Sequence, residues 1–142
     1  MTADQIFLIC NASVVPGWLL LVAAPRWVWT QRVCAVLIPG LLAIAYITLF
    51  ILNFDGLHGG FNSLNAVAYL FQNRNAVLVG WLHYLAFDLF IGAWEIRDAQ
   101  RVKVPHLAVI PCLLLTFLFG PAGLLLYFLV RSAMKRGVET LS

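Results

Sequence analysis

Four long apolar stretches, separated by short polar segments, set the pattern of the chain: residues 6–24, 33–52, 76–94 and 106–130. A helix needs about 20 mainly apolar residues to cross the hydrocarbon core of a bilayer. In lipid a helix satisfies its own backbone hydrogen bonds, so these runs predict transmembrane helices. The segments 25–32 and 95–105 are short connections. Residues 53–75 form a longer one, opening on the glycine-rich turn Asp55-Gly56-Leu57-His58-Gly59-Gly60. After it, Leu64, Val67, Ala68 and Phe71 recur at helical spacing. That pattern predicts a short amphipathic helix lying at the membrane interface. The predicted fold is all-α: a polytopic membrane protein in which residues 1–142 form a single transmembrane domain. It is a bundle of four transmembrane helices with a short interfacial helix between the second and third.

Composition sharpens this picture. The 142 residues are 63% hydrophobic and 11% charged, against about 25% charged residues in a typical soluble domain. A soluble core of this size would have too few polar residues to cover it. The net charge of +3 does not point to nucleic acid, because the lysines and arginines fall between and after the apolar runs. That placement belongs to topology control and to contact with anionic lipid headgroups. Membrane lipids are therefore the expected partners, and a homo-oligomer is compatible with so small a bundle. The first stretch lacks a basic leader region, carrying only Asp4, and Pro25 follows Ala23-Ala24 in a poor cleavage context. It is expected to be a retained span.

Charge does little to orient the bundle. With four spans, Arg74, Arg131, Lys135 and Arg136 fall on one side and Arg26, Arg32, Arg97, Arg101 and Lys103 on the other. Four against five is nearly even. The loop after the first span favours a cytoplasmic location for the second group, with an external amino terminus.

Prolines interrupt three of the four spans. Pro121, preceded by Gly120, removes one backbone donor and frees the carbonyl of Phe117. In lipid that carbonyl needs another partner, such as a neighbouring Thr116. The fourth helix is therefore expected to kink or break near Gly120-Pro121. Cys10, Cys34 and Cys112 each sit inside an apolar run with no Cys-x-x-Cys spacing, and read as packing residues.

The third span carries the chemistry. It reads Gly80-Trp81-Leu82-His83-Tyr84-Leu85-Ala86-Phe87-Asp88-Leu89-Phe90. A charged aspartate at the centre of a span costs at least ~2.5–3.5 kcal/mol, so such residues face the bundle interior and have a role. His83 and Asp88 are about 140° apart around a helix, placed to flank one cavity from two edges. Tyr84, four residues before Asp88, is positioned to hydrogen-bond its carboxyl. Asn11, Tyr46 and Tyr127 are candidate partners across the bundle, with Asn11 a candidate for Asp88 itself. Trp81, Phe87 and Phe90 supply an aromatic wall suited to a flexible apolar ligand. Glu95 reads as a solvated residue at the membrane boundary, and His106 as an interfacial cap of the fourth span. No His-x-x-x-His or Glu-x-x-His spacing supports a metal site, and no P-loop, nucleophile elbow or dinucleotide-binding motif is present.

The segment from Gly80 to Phe90 followed by Gly92, together with Pro111-Cys112-Leu113 and Gly120-Pro121-Ala122-Gly123-Leu124-Leu125-Leu126-Tyr127, resembles the signatures of the abscisic-acid-deficient-four family. The resemblance covers residues 53–130 and, more loosely, the whole chain. It implies a four-span membrane protein similar to neoxanthin synthase, which isomerises a carotenoid epoxide, violaxanthin, to an allene. The short chain without a transit peptide resembles a bacterial-type member, for which the inner membrane is the expected location. An isomerisation of this kind needs no redox cofactor. It needs a proton delivered to oxygen and one removed from carbon, for which a buried carboxyl (Asp88) and a neutral imidazole (His83) are the right types. Two other readings stay open: a non-catalytic membrane protein that binds carotenoid or lipid, and, less well suited to four spans, a proton-coupled transporter.

Overall fold

A computed structural model describes residues 1–134, and every regular element among them is helical. Helix α1 spans Ala3–Ala23 and starts on a reciprocal cap, in which the Thr2 hydroxyl accepts from Gln5 N and the Gln5 side chain accepts from Thr2 N. A second rod runs unbroken over Val28–Gly56. It consists of α2 (Val28–Arg32), a π turn (Val33–Leu37), α3 (Ile38–Asn53) and a closing 3₁₀ turn. The π turn lies just before Pro39, which has no N–H to donate, and a wider turn there absorbs the lost bond. Helix α4, Leu64–Leu70, starts where the Ser63 hydroxyl accepts from Ala66 N. Helix α5, Arg74–Arg101, starts on Asn73, whose side chain accepts from Asn75 N and Ala76 N.

Three of these helices are long and apolar enough to cross a membrane: α1, the Val28–Gly56 rod and α5. Helix α5 is the central element and packs against α1, α3, α6 and α7. Its buried apolar residues Leu82, Leu85, Leu89, Ala93 and Ile96 form the spine of one core, joined by Val14 and Leu21 from α1 and Leu42 from α3.

The fourth expected span departs from a single helix. Residues 106–130 divide into α6 (His106–Phe119) and α7 (Pro121–Ala133), joined by Gly120 alone. Gly120 has φ 43° and ψ −95°, a conformation glycine adopts readily. Pro121 follows as the first residue of α7, where its missing N–H costs nothing. The expected break is present, and the chain then reverses. Thr116 bonds to Glu95, Gly120 abuts Asp88, and Tyr127 bonds to Asp98. The ten residues from Asp88 to Asp98 rise about 15 Å along α5. Had α7 continued in the direction of α6, Tyr127 would lie near the start of α5. It lies near the end instead, so α7 runs back alongside α6. Gly123 permits the close approach: a Cβ there would come within 2.1 Å of Thr116 N.

Candidate functional site

Tyr84, Asp88 and Glu95 recur at four and seven residues, and so fall within about 40° of one another around α5. This face meets the α6–α7 hairpin. Asp88, fifteenth of the 28 residues of α5, lies against the hairpin turn. A Cβ on Gly120 would be 2.9 Å from Asp88 Oδ1 and 3.3 Å from Oδ2. Only a residue without a side chain leaves room for this carboxyl. The Tyr84 hydroxyl donates toward the carbonyls of Phe117 (3.3 Å) and Leu118 (3.2 Å), and lies within hydrogen-bonding reach of Asp88. Tyr84 is thus the partner that the freed Phe117 carbonyl requires. Thr116, expected in that role, instead accepts Gly120 N through its own carbonyl and donates its hydroxyl elsewhere.

That hydroxyl goes to Glu95 Oε1, at 2.9 Å. Glu95 is completely buried, so its reading as a solvated boundary residue is corrected: the hairpin covers it. Three residues further along α5, Asp98 Oδ2 accepts from Tyr127 Oη (2.6 Å) and Arg131 Nε (2.8 Å). Its Oδ1 accepts from Arg101 Nη2 at 2.9 Å. Asp98 and Arg131 are 4% and 2% exposed, a buried ion pair whose carboxyl accepts from three donors, Tyr127, Arg131 and Arg101. Asp88 Oδ2 and Glu95 Oε2 are buried with no hydrogen-bond partner among the described residues. The hairpin therefore covers a column of three acids. Sequence reasoning singled out Asp88 and Tyr127 but missed Asp98 and Arg131 as site residues, gave Thr116 a different partner and misread Glu95. The readable signal was the spacing of Asp88 and Glu95, two turns apart on one face, with Tyr127 and Arg131 one turn apart on another.

His83 lies elsewhere. It stacks on Phe87 (centroids 4.6 Å) and faces Tyr46 of α3 at 6.2 Å. With Tyr46, Phe50, Phe71 and Gly80 it lines a hollow of about 480 Å³ beneath the 53–71 segment. The expected common cavity for His83 and Asp88 is not formed. The two residues point to different neighbours, α3 and the hairpin, because about 140° on a central helix reaches two partners rather than one. Asn11 does not reach Asp88; its Oδ1 accepts from Trp81 Nε1 at 2.9 Å. Trp81 also packs on Phe7 and stacks on Tyr84, and so is held in the α1–α5 contact. Phe90 is exposed on α5. His106 begins α6, and its Nε2 donates to Val22 O of α1 at 2.8 Å. No cluster of three or more metal-binding side chains occurs among the described residues.

These features define a helical protein with membrane-spanning character, built around a central helix that carries an acid column on one flank and an aromatic hollow on another. The ABA DEFICIENT 4-like family profile matches residues 5–127, and the chain belongs to that family. It is 25% identical to Protein ABA DEFICIENT 4, chloroplastic, of Arabidopsis thaliana, over 94% of this chain and 63% of that protein. The chain thus spans less than two thirds of the relative's length. A chloroplast relative lends no support to the expected bacterial inner membrane. No solved structure gives a significant match.

Proposed function

We propose that this protein is a membrane-embedded isomerase acting on a carotenoid or related isoprenoid, with Asp88 as its proton donor. The observation that carries the reading is a carboxyl at the midpoint of a membrane-spanning helix, set against a helix break by a glycine that makes room for it. Tyr84 supports the acid role. It has one hydroxyl hydrogen, directed to backbone carbonyls that can only accept. The hydroxyl lies within reach of Asp88 and can donate to the carboxyl when it is ionised and accept from it when it is protonated, so it partners the acid before and after proton transfer. Opening an epoxide beside a polyene to an allenic alcohol breaks one C–O bond and one vinylic C–H bond and forms one new C=C bond. The oxygen gains the proton that the carbon loses. A single carboxyl can donate from one oxygen and receive on the other, so the chemistry is balanced without His83 as the base. In this reading the substrate reaches the half-buried Asp88 beside the hairpin turn, and His83 and Tyr46, which line the hollow on the other flank of α5, take no part in the step.

The membrane placement belongs to the same reading. At 1.5 Å per residue, α6 and α7 are each about 20 Å long, short of the ~30 Å hydrocarbon core. They enter and leave by one face, as a re-entrant hairpin with Gly120 and Asp88 near the midplane, while α4 lies at the opposite interface. Arg131 then joins Arg26, Arg32, Arg97, Arg101 and Lys103, leaving Arg74 alone on the other face; Lys135 and Arg136 lie outside the described residues. Six cations against one is a strong asymmetry and favours the hairpin face as cytoplasmic.

The aromatic hollow supports a second reading, a protein that binds pigment or lipid without converting it. Pigment extracts from cells with and without the gene separate the two. Conversion changes the isomer ratio, and Asp88→Asn abolishes that change while the protein still accumulates and folds. Pigment that co-purifies unchanged, with no shift in isomer ratio, contradicts the isomerase reading.

A further inference from the structure

The connections after α1 and after α5 meet at the basic end of the bundle and enclose a hollow of about 230 Å³. Its walls are fixed in place. Gln100 Nε2 donates to Pro25 O at 2.7 Å, and His106 Nε2 donates to Val22 O at 2.8 Å. Its floor is apolar, formed by the buried side chains of Ile96, Ala99 and Val104. Two cations line it, Arg26 and Lys103, and no carboxylate pairs with either among the described residues. Asp98, the nearest acid in sequence, is already bonded to Arg131 and Arg101.

Lys103 is also held against its backbone preference. It is the only described non-glycine residue with positive φ, at 60°. It closes α5 through Val104 N to Ala99 O (2.9 Å) and Lys103 N to Gln100 O (3.4 Å), an end motif in which this position is normally glycine. Glycine would fit the conformation better; lysine keeps a cation at the mouth of the hollow. Trp27 and Trp29, both exposed beside Arg26, mark the depth of the headgroup layer, where tryptophan concentrates.

We infer that this hollow binds the phosphate of an anionic phospholipid headgroup, with Arg26 and Lys103 supplying the charge. The inference does not depend on the isomerase reading. A volume of about 230 Å³ falls below the ~300 Å³ typical of the smallest ligand pockets. It holds a headgroup fragment and leaves the acyl chains outside, alongside Trp27 and Trp29.

The test uses the full-length protein in neutral detergent, with thermal unfolding as the readout. The probes are phosphatidylglycerol, phosphatidylcholine and inorganic phosphate. Phosphatidylglycerol should raise the unfolding temperature of the wild type, and phosphatidylcholine should not. Lys103→Gly should equal or exceed wild-type stability without lipid, since it relieves the positive φ, yet lose at least half of the phosphatidylglycerol shift. Arg26→Gln should lose a similar share. An equal response to the two lipids, or an undiminished shift in both variants, overturns the site. A Lys103→Gly protein less stable than wild type without lipid overturns the argument from its backbone. Inorganic phosphate reproducing the whole shift overturns the lipid as the source and leaves a soluble phosphate ester as the ligand.

Discussion

On its α3 flank, α5 presents His83, stacked on Phe87, to Tyr46 beside a hollow of about 480 Å³. On its hairpin flank it presents Asp88, Glu95 and Asp98 to two short helices, with Glu95, Asp98, Thr116, Tyr127 and Arg131 buried and Asp88 half-buried. The first flank is open, aromatic and weakly polar. The second is closed around Glu95 and Asp98, where Thr116, Tyr127 and Arg131 bond to the two acids. One helix thus separates two tasks. The hairpin flank holds the fold and keeps an acid at mid-span, while the α3 flank leaves an open hollow. Substitutions on the two flanks should therefore fail in different ways.

The largest effect is expected at Asp98→Ala. Removing one partner of a buried, hydrogen-bonded ion pair costs about 3–5 kcal/mol, and the variant should accumulate poorly and unfold early in detergent. A loss below about 1 kcal/mol would mean that the pair behaves as a solvated surface contact. Gly123→Ala comes next. Its Cβ would overlap Thr116, so the two helices must part. Overpacking of this kind costs about 1–3 kcal/mol, read as a lower unfolding temperature. A variant as stable as wild type would show that the two helices are not pressed together at this point. The smallest stability effect is expected at His83→Leu, within about 0.5 kcal/mol of wild type, because His83 is exposed and makes ring contacts only. The same variant should retain less co-purifying pigment than wild type. Unchanged pigment binding would remove the hollow from the ligand path.

The sequence revealed the parts of this architecture that depend on local chemistry. Three spans were visible as apolar runs, although their ends extend into polar residues: α5 continues to Arg101 because Asp98 and Arg101 pair along it. The break at Gly120-Pro121 was visible because a missing donor and a flexible residue act locally. The reversal after it was not. The direction of α7 is set by bonds from Tyr127 and Arg131 to Asp98, about 30 residues away in sequence, and by the close approach at Gly123. Counting residues 106–130 as one span followed from their length, since two apolar half-helices and one long helix have the same hydropathy. The error at Glu95 has the same origin: next to Arg97 and Asp98 it reads as a boundary residue, and only the returning helix buries it. The pairing of His83 with Asp88 assumed one neighbour for both, whereas a central helix has several.

The hairpin is the claim on which the mid-membrane acid and the charge asymmetry both rest, and sided cysteine labelling tests it most directly. Cys34 and Cys112 are fully buried and Cys10 nearly so, so background reaction is low. A cysteine is introduced singly by Arg32→Cys, His58→Cys or Ser132→Cys, and sealed vesicles are treated with a membrane-impermeant maleimide. Ser132→Cys should react from the same side as Arg32→Cys, and His58→Cys from the opposite side. Reaction of Ser132→Cys from the His58→Cys side would mean that residues 106–130 cross the membrane, contradicting the hairpin.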